Sequence, residues 1–155
     1  MTFAALYLLW SALHELPNPN EITMELNSGE SPLKGLRVLV VEDETLVAML
    51  VEEYLTELGC VIAGSARRVP KALEIIDGSA IDAAVLDLNV AGEDVSPIVA
   101  KLVAKSVPFI FASGYGEKGL PANWASYQVL QKPFSAGDLQ TALLSAVSAR
   151  DATTA

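Results

Sequence analysis

Five short apolar runs recur along the chain, separated by longer stretches of helical periodicity: RVLVV at 37–41, VIAGSA at 61–66, AAVLD at 83–87, PFIFA at 108–112 and YQVL at 127–130. A strand that is apolar on both faces is covered on both faces, which is the situation of a parallel sheet between two helical layers. Parallel neighbours also need a crossover between them, and the intervening stretches are long enough to supply one. A helix is expected over 45–58, with Leu46, Met49, Leu50 and Val51 on its inner side, Glu52, Glu53 and Glu57 outside, and Gly59 as its C-terminal cap. Pro70 suits the first turn of a second helix over 70–77, stopped by Gly78. Ser96 followed by Pro97 reads as a cap and a first-turn proline, opening a third helix over 96–105, and a last helix is expected over 135–147. One link departs from the alternation. Residues 114–126, GYGEKGLPANWAS, hold three glycines and a proline, so a loop with one or two turns and local mobility is expected there.

The 155 residues are enough for one compact domain. Residues 1–34 differ from the rest and are read as an N-terminal extension, with the domain over 35–148 and a tail over 149–155. Within the extension, Phe3, Leu6, Tyr7, Trp10 and Leu13 fall at helical spacing, and 17–34 reads as a linker. The apolar run is too short to span a bilayer and has no basic residues before it, so it is neither a membrane span nor a secretory signal. Three readings stay open: a helix docked on the main domain or on a second copy, a loosely ordered segment, and a membrane-surface contact, the last opposed by the lack of a cationic face. With 10 Lys and Arg against 19 Asp and Glu, the net charge of −9 argues against nucleic-acid binding, which needs a basic surface. It suits a protein partner, a cationic partner or a divalent metal. The single cysteine, Cys60, excludes a disulfide framework and reads as a small residue at a strand start in a reducing cytoplasm; His14, the single histidine, lies outside the strand and helix pattern.

Functional groups in an open α/β sheet gather beyond the carboxyl ends of its strands. The first strand runs into Glu42 and Asp43, the third ends in Asp87 with Leu88 and Asn89 following, the fourth ends in Ser113, and the fifth runs into Lys132 and Pro133. If the central strands are neighbours, Glu42, Asp43 and Asp87 converge, and their repulsion calls for positive charge. Lys132 supplies one charge and a magnesium ion two more. Asp87 flanked in this way is able to attack a phosphoryl group, with the metal, the ammonium and the Ser113 hydroxyl meeting the charge on the transferring oxygens. Taken singly, an acid at a strand end most often caps a helix or faces water. The combination in this order is what carries information.

These stretches resemble the receiver domain of two-component response regulators, over roughly 36–147. VLVVEDE is similar to the receiver's first strand with its acidic pair at Glu42 and Asp43, and AAVLDLN carries the phosphoacceptor position at Asp87. The resemblance implies magnesium held by Glu42, Asp43, Asp87 and the backbone carbonyl of Asn89, with Ser113 and Lys132 as the hydroxyl and lysine of the site. It implies a cis Lys132–Pro133 peptide and a flavodoxin-like (CheY-like), doubly wound, five-stranded parallel sheet of order 2-1-3-4-5. PFIFASGYG resembles the signature of the "FAT GUY" receivers, with Ser113 in place of Thr, a subgroup of largely single-domain regulators with a shortened or mobile fourth helix. One departure stands out: Val129 occupies the place of the usual switch aromatic, leaving Tyr115 or Tyr127 as replacements, or Tyr115 as a ring packed against the sheet edge.

The implied function is a single-domain response regulator in a phosphorelay. It accepts a phosphoryl group on Asp87 from a histidine kinase or phosphotransferase and signals through protein contacts, with another regulator or a second copy as further partners. A phosphate sink is a variant of the same reading. A phosphorylation-independent binding module on the same scaffold is the alternative. An aspartate-nucleophile phosphatase of the haloacid dehalogenase type needs an acid two residues after the nucleophile, where Asn89 stands, so an enzyme is not expected. A flavin-binding flavodoxin is disfavoured by acids where a phosphate needs glycines and amides.

Overall fold

The computed structural model of the chain describes residues 31–154. The expectations for the amphipathic run at 3–13 and for His14 lie outside the described residues. Five strands, β1 (Arg37–Val41), β2 (Val61–Ala66), β3 (Ala83–Asp87), β4 (Phe109–Ser113) and β5 (Val129–Gln131), form one parallel sheet of order β2-β1-β3-β4-β5. Among the described residues four helices accompany them: α1 (Thr45–Glu57), α2 (Val69–Gly78), α3 (Ser96–Ala104) and α4 (Ala136–Thr154). The expected fold class is the observed one, and the fourth crossover is shortened as expected, to two 3-10 turns at Gly116–Gly119 and Ala122–Trp124.

The pleat divides the core in two. Val38, Val40, Val85, Ile110 and Leu130 point to the side covered by Val51 and Leu55 of α1 and Leu139, Leu143 and Val147 of α4. Leu39, Val41, Leu86, Phe109 and Phe111 point to the other side, covered by Ala72 and Ile76 of α2 and Ile98 and Leu102 of α3. Leu33, two residues upstream of the expected domain start, is fully buried in the first of these clusters. On the second side, where the crossover between β4 and β5 has no regular helix, rings take its place. Trp124 stacks on Phe111 at 5.3 Å between centroids, and Tyr127 lies 4.7 Å from Phe109.

Local chemistry accounts for the boundaries. After α1, the Cys60 N–H donates to the Leu55 carbonyl and the Gly59 N–H to the Thr56 carbonyl. This pairing requires the left-handed turn that Gly59 takes at φ +87°. Four expectations are corrected. Ser96 does not cap α3; it lies in its first turn, and the Asp94 carboxylate accepts both the Ser96 N–H and O–H, at 2.9 and 2.6 Å. The fifth strand begins two residues later than expected, because Tyr127 is drawn into the ring cluster, and the last helix continues past residue 147 to Thr154. On α1 the buried residues are Ala48, Val51 and Leu55, so of the four residues expected inside only Val51 is. Leu46, Met49 and Leu50 face outward, 80, 57 and 42% exposed. Small Ala48 brings the helix close to the sheet, and the larger side chains flank that contact.

Candidate functional site

The strand order places the ends of β1, β3, β4 and β5 side by side, and the residues singled out there meet. Glu42 follows directly on β1, and its Oε1 accepts the Glu44 N–H at 3.1 Å. Asp87 is the last residue of β3, and its Oδ1 accepts the Asn89 N–H at 3.0 Å. Both carboxylates are buried. Lys132, just beyond β5, reaches between them: Nζ donates to Glu42 Oε2 at 2.7 Å and to Asp87 Oδ2 at 3.0 Å. Its backbone N–H donates to the Ser113 carbonyl at 2.8 Å, which ties the start of the lysine's loop to the end of β4. The Lys132–Pro133 peptide is cis.

Asp43 completes the acidic group. One carboxylate oxygen from each of Glu42, Asp43 and Asp87 lies within 4.8 Å of the others. Such a set of hard oxygen donors fits a magnesium ion, whose preferred ligands are one or two carboxylates and waters. Asp43 is half-buried and has no hydrogen bond or ion pair among the described residues, so it is available as a ligand. Asn89 has its side-chain Oδ1 engaged by the Gly92 N–H at 3.0 Å.

The electrostatics follow from three acids and one lysine in a confined space. Burial pushes the Glu42 carboxyl up to about 7; Lys132 opposes this, and the neighbouring Asp87 adds to it. For Lys132 burial acts in the opposite sense, lowering its pKa, but the hydrogen bonds to Glu42 and Asp87 outweigh it and hold the ammonium above its ordinary value. The site therefore carries more negative charge than one lysine neutralises, and it takes up either a proton or a cation.

Ser113, the last residue of β4, is buried, and its Oγ accepts the Tyr115 N–H at 3.0 Å. Tyr115 itself is 81% exposed, so the reading of it as a ring packed on the sheet edge is corrected. The packed ring is Tyr127. Two site neighbours were not expected from the sequence. Gly119 approaches the Ser113 hydroxyl, and Gly116 approaches the side chain of Gln131. The three glycines of the 114–126 stretch were the only hint. Cys60 is buried, as expected for a small residue at a strand start.

Among the described residues no helix is long and apolar enough to cross a membrane. The family model of the response regulator receiver domain matches residues 38–144. The transcriptional regulatory protein PdtaR of Mycobacterium tuberculosis is 29% identical over 116 residues, covering 72% of this chain and 57% of PdtaR. The regulatory protein VirG of Agrobacterium tumefaciens is 29% identical over 130 residues, 77% of this chain and 48% of VirG, so the chain spans about half the length of these curated relatives. Among solved structures, SdrG from Sphingomonas melonis is 34% identical at a TM-score of 0.63, covering 75% of this chain and 96% of SdrG. The receiver domain of PhyR from Erythrobacter litoralis is 27% identical at a TM-score of 0.66, covering 75% of this chain and 92% of that domain. A family match over most of the chain, on a sheet of the order and with the acidic strand ends described above, means that the chain belongs to the response regulator receiver domain family.

Proposed function

We propose that the chain is a phosphoacceptor regulator of a two-component phosphorelay, working in the cytoplasm, with Asp87 as the acceptor. The observation that carries this reading is the Lys132 ammonium bridging buried Asp87 and Glu42, with a carboxylate oxygen of Asp43 within 4.8 Å of theirs. In the transfer, an Asp87 carboxylate oxygen forms the new bond to phosphorus while the donor's P–N bond breaks. The electron pair stays on the departing imidazole of a phosphohistidine. Lys132 is placed to meet charge on the phosphoryl oxygens, and the Ser113 hydroxyl, which uses a lone pair for the Tyr115 N–H, retains its proton for donation. Glu42, Asp43, Asp87 and the backbone carbonyl of Asn89 would hold a magnesium ion. Bound there, the ion supplies neutralisation of the incoming phosphoryl charge.

The donor is a histidine kinase or phosphotransferase. The outward residues Leu46, Met49 and Leu50 form an apolar strip on α1 that begins just past Asp43, with Glu44 and Glu53 exposed beside it. A helical donor with an apolar face and a basic rim fits that strip and brings its phosphohistidine over Asp87. Output through protein contacts belongs to the same reading, with a regulator rather than a turnover enzyme as its consequence. SdrG has been solved in a BeF3-activated conformation, which supports beryllofluoride as a probe here. The test is intact mass after incubation with acetyl phosphate. Wild type with magnesium gains one phosphoryl group, while wild type without magnesium and Asp87→Asn gain none. Equal labelling of Asp87→Asn would remove the assignment.

A further inference from the structure

The 3-10 turn at Gly116–Gly119 touches three strand ends, and it does so with backbone alone. A Cβ on Gly119 would lie 3.0 Å from Ser113 Oγ, 3.3 Å from Tyr115 Cβ and 3.7 Å from Leu88 Cδ1. Gly119 is thus wedged between the residue that ends β4 and the residue that follows Asp87. A Cβ on Gly116 would lie 3.1 Å from Oε1 of Gln131, the residue before Lys132, and Gly116 has φ +58°, where a side chain is disfavoured. The rest of the segment is held elsewhere: Leu120 and Trp124 pack on the second core cluster, Trp124 through its stack on Phe111. Between these anchors, Tyr115, Glu117 and Lys118 are exposed. The near end of the segment therefore rests on two close glycine contacts and on the Ser113 hydroxyl.

We propose that Gly119 is the positioning residue for the Ser113 hydroxyl: its bare backbone forms the seat against which Ser113 Oγ rests. Drawing that hydroxyl toward a phosphoryl group on Asp87 then unseats the 116–119 turn. This rests on Asp87 being the acceptor. It gives the chain a route from phosphorylation to an exposed surface that needs no aromatic at position 129, where Val129 stands. At 3.0 Å from Ser113 Oγ and 3.3 Å from Tyr115 Cβ an added methyl group is tight, and the Ser113 hydroxyl must give by a few tenths of an ångström to admit it. The backbone of Gly119 is not in the left-handed region, so Gly119→Ala tests space and not backbone strain.

The experiment compares wild type, Gly119→Ala, Ser113→Ala and the double variant by amide NMR, without ligand and through a titration with magnesium and beryllofluoride. Gly119→Ala destabilises the seated arrangement, where the methyl group meets Ser113 Oγ as well as Tyr115 Cβ, more than the drawn-in one, where the hydroxyl has moved away. A steric penalty on the seated arrangement of about the size of one hydrogen bond tightens beryllofluoride binding roughly three- to tenfold. In the Ser113→Ala background the same substitution changes nothing, and the two substitutions shift the Tyr115 amide non-additively. Equal or weaker binding by folded Gly119→Ala, or the same gain without the hydroxyl, overturns the proposal. Should Gly119→Ala not fold, the amides of 116–120 decide: displaced by beryllofluoride in wild type and not in Ser113→Ala supports the seat, and no displacement in wild type overturns it. If beryllofluoride leaves the wild-type Asn89 amide unmoved, the acceptor reading fails instead. The Tyr115 amide cycle without ligand then decides the seat alone, non-additive shifts supporting it and additive shifts overturning it.

Discussion

Replacing Lys132 with methionine keeps most of the side chain's length and removes only its charge and donors. Two hydrogen bonds vanish, at 2.7 Å to Glu42 and 3.0 Å to Asp87, and the two carboxylates left facing each other are only 4 and 9% exposed. Removing one partner from a buried ion pair costs about 3–5 kcal/mol because the remaining charge stays buried. The lower end applies here, since Lys132 is itself 20% exposed and water reaches the site. A loss of about 3 kcal/mol at pH 8 corresponds to a fall in Tm of roughly 10 °C for a domain of this size. The pH dependence supplies the sharper test. Glu42 is raised from 4.5 to about 7 in the folded protein, so the folded state binds more protons than the unfolded one between those values. Its contribution to stability is thus present below 4.5 and lost as the pH rises through 7. Without Lys132 the Glu42 carboxyl is raised further, so acid relieves the variant more than wild type, and the deficit shrinks to about half at pH 5.5. Lys132 itself is held above its ordinary value and stays charged throughout this window. Urea denaturation of wild type and Lys132→Met at pH 8 and 5.5, free of divalent metal, gives both numbers. A deficit below about 1 kcal/mol at pH 8, or one equal at both values, would refute the picture of an ammonium neutralising two buried acids.

Three further outcomes follow from the same geometry. Because Glu42 must be ionised to hold a metal, magnesium affinity weakens as the pH falls below about 7, and calorimetry in buffers of different ionisation enthalpy at pH 6.5 detects proton release on binding. Trp124→Ala removes the ring stacked on Phe111, and we expect a cost of about 1–3 kcal/mol read as faster amide exchange over 120–127, with the β1 and β3 amides little changed. Leu33→Ala costs about 2–5 kcal/mol in chemical denaturation, since the side chain is fully buried, whereas a linker residue would change stability by less than about 0.5 kcal/mol.

Much of the fold was legible because strands buried on both faces announce themselves as compact apolar runs: β1, β2 and β3 lie where RVLVV, VIAGSA and AAVLD stand. The convergence of Glu42, Asp43, Asp87 and Lys132 was legible for a topological reason, each residue closing a strand of one parallel sheet. Most of what failed depends on partners distant in sequence. Leu46, Met49 and Leu50 are apolar at helical spacing, and periodicity alone does not tell a face turned to the core from one left exposed. Leu33 follows a polar stretch rich in Pro, Asn and Ser, and its burial depends on α1 and α4 packing over it. The Ser96 cap was misplaced because Asp94, two residues earlier, accepts both the Ser96 N–H and its O–H and so holds Ser96 inside the first turn. The approach of Gly119 to Ser113 depends on how a segment without regular helix folds back, which composition alone does not set.

The proposed chemistry turns on Asp87 receiving the phosphoryl group. Borohydride reduction after acetyl phosphate and magnesium treatment converts an aspartyl phosphate to homoserine, and peptide mapping locates it. The account predicts homoserine at position 87 and nowhere else, dependent on magnesium and lost in Lys132→Met. Homoserine at Asp43 or at any position other than 87, or 2-amino-5-hydroxypentanoic acid, the reduction product of a glutamyl phosphate, at Glu42, would contradict it.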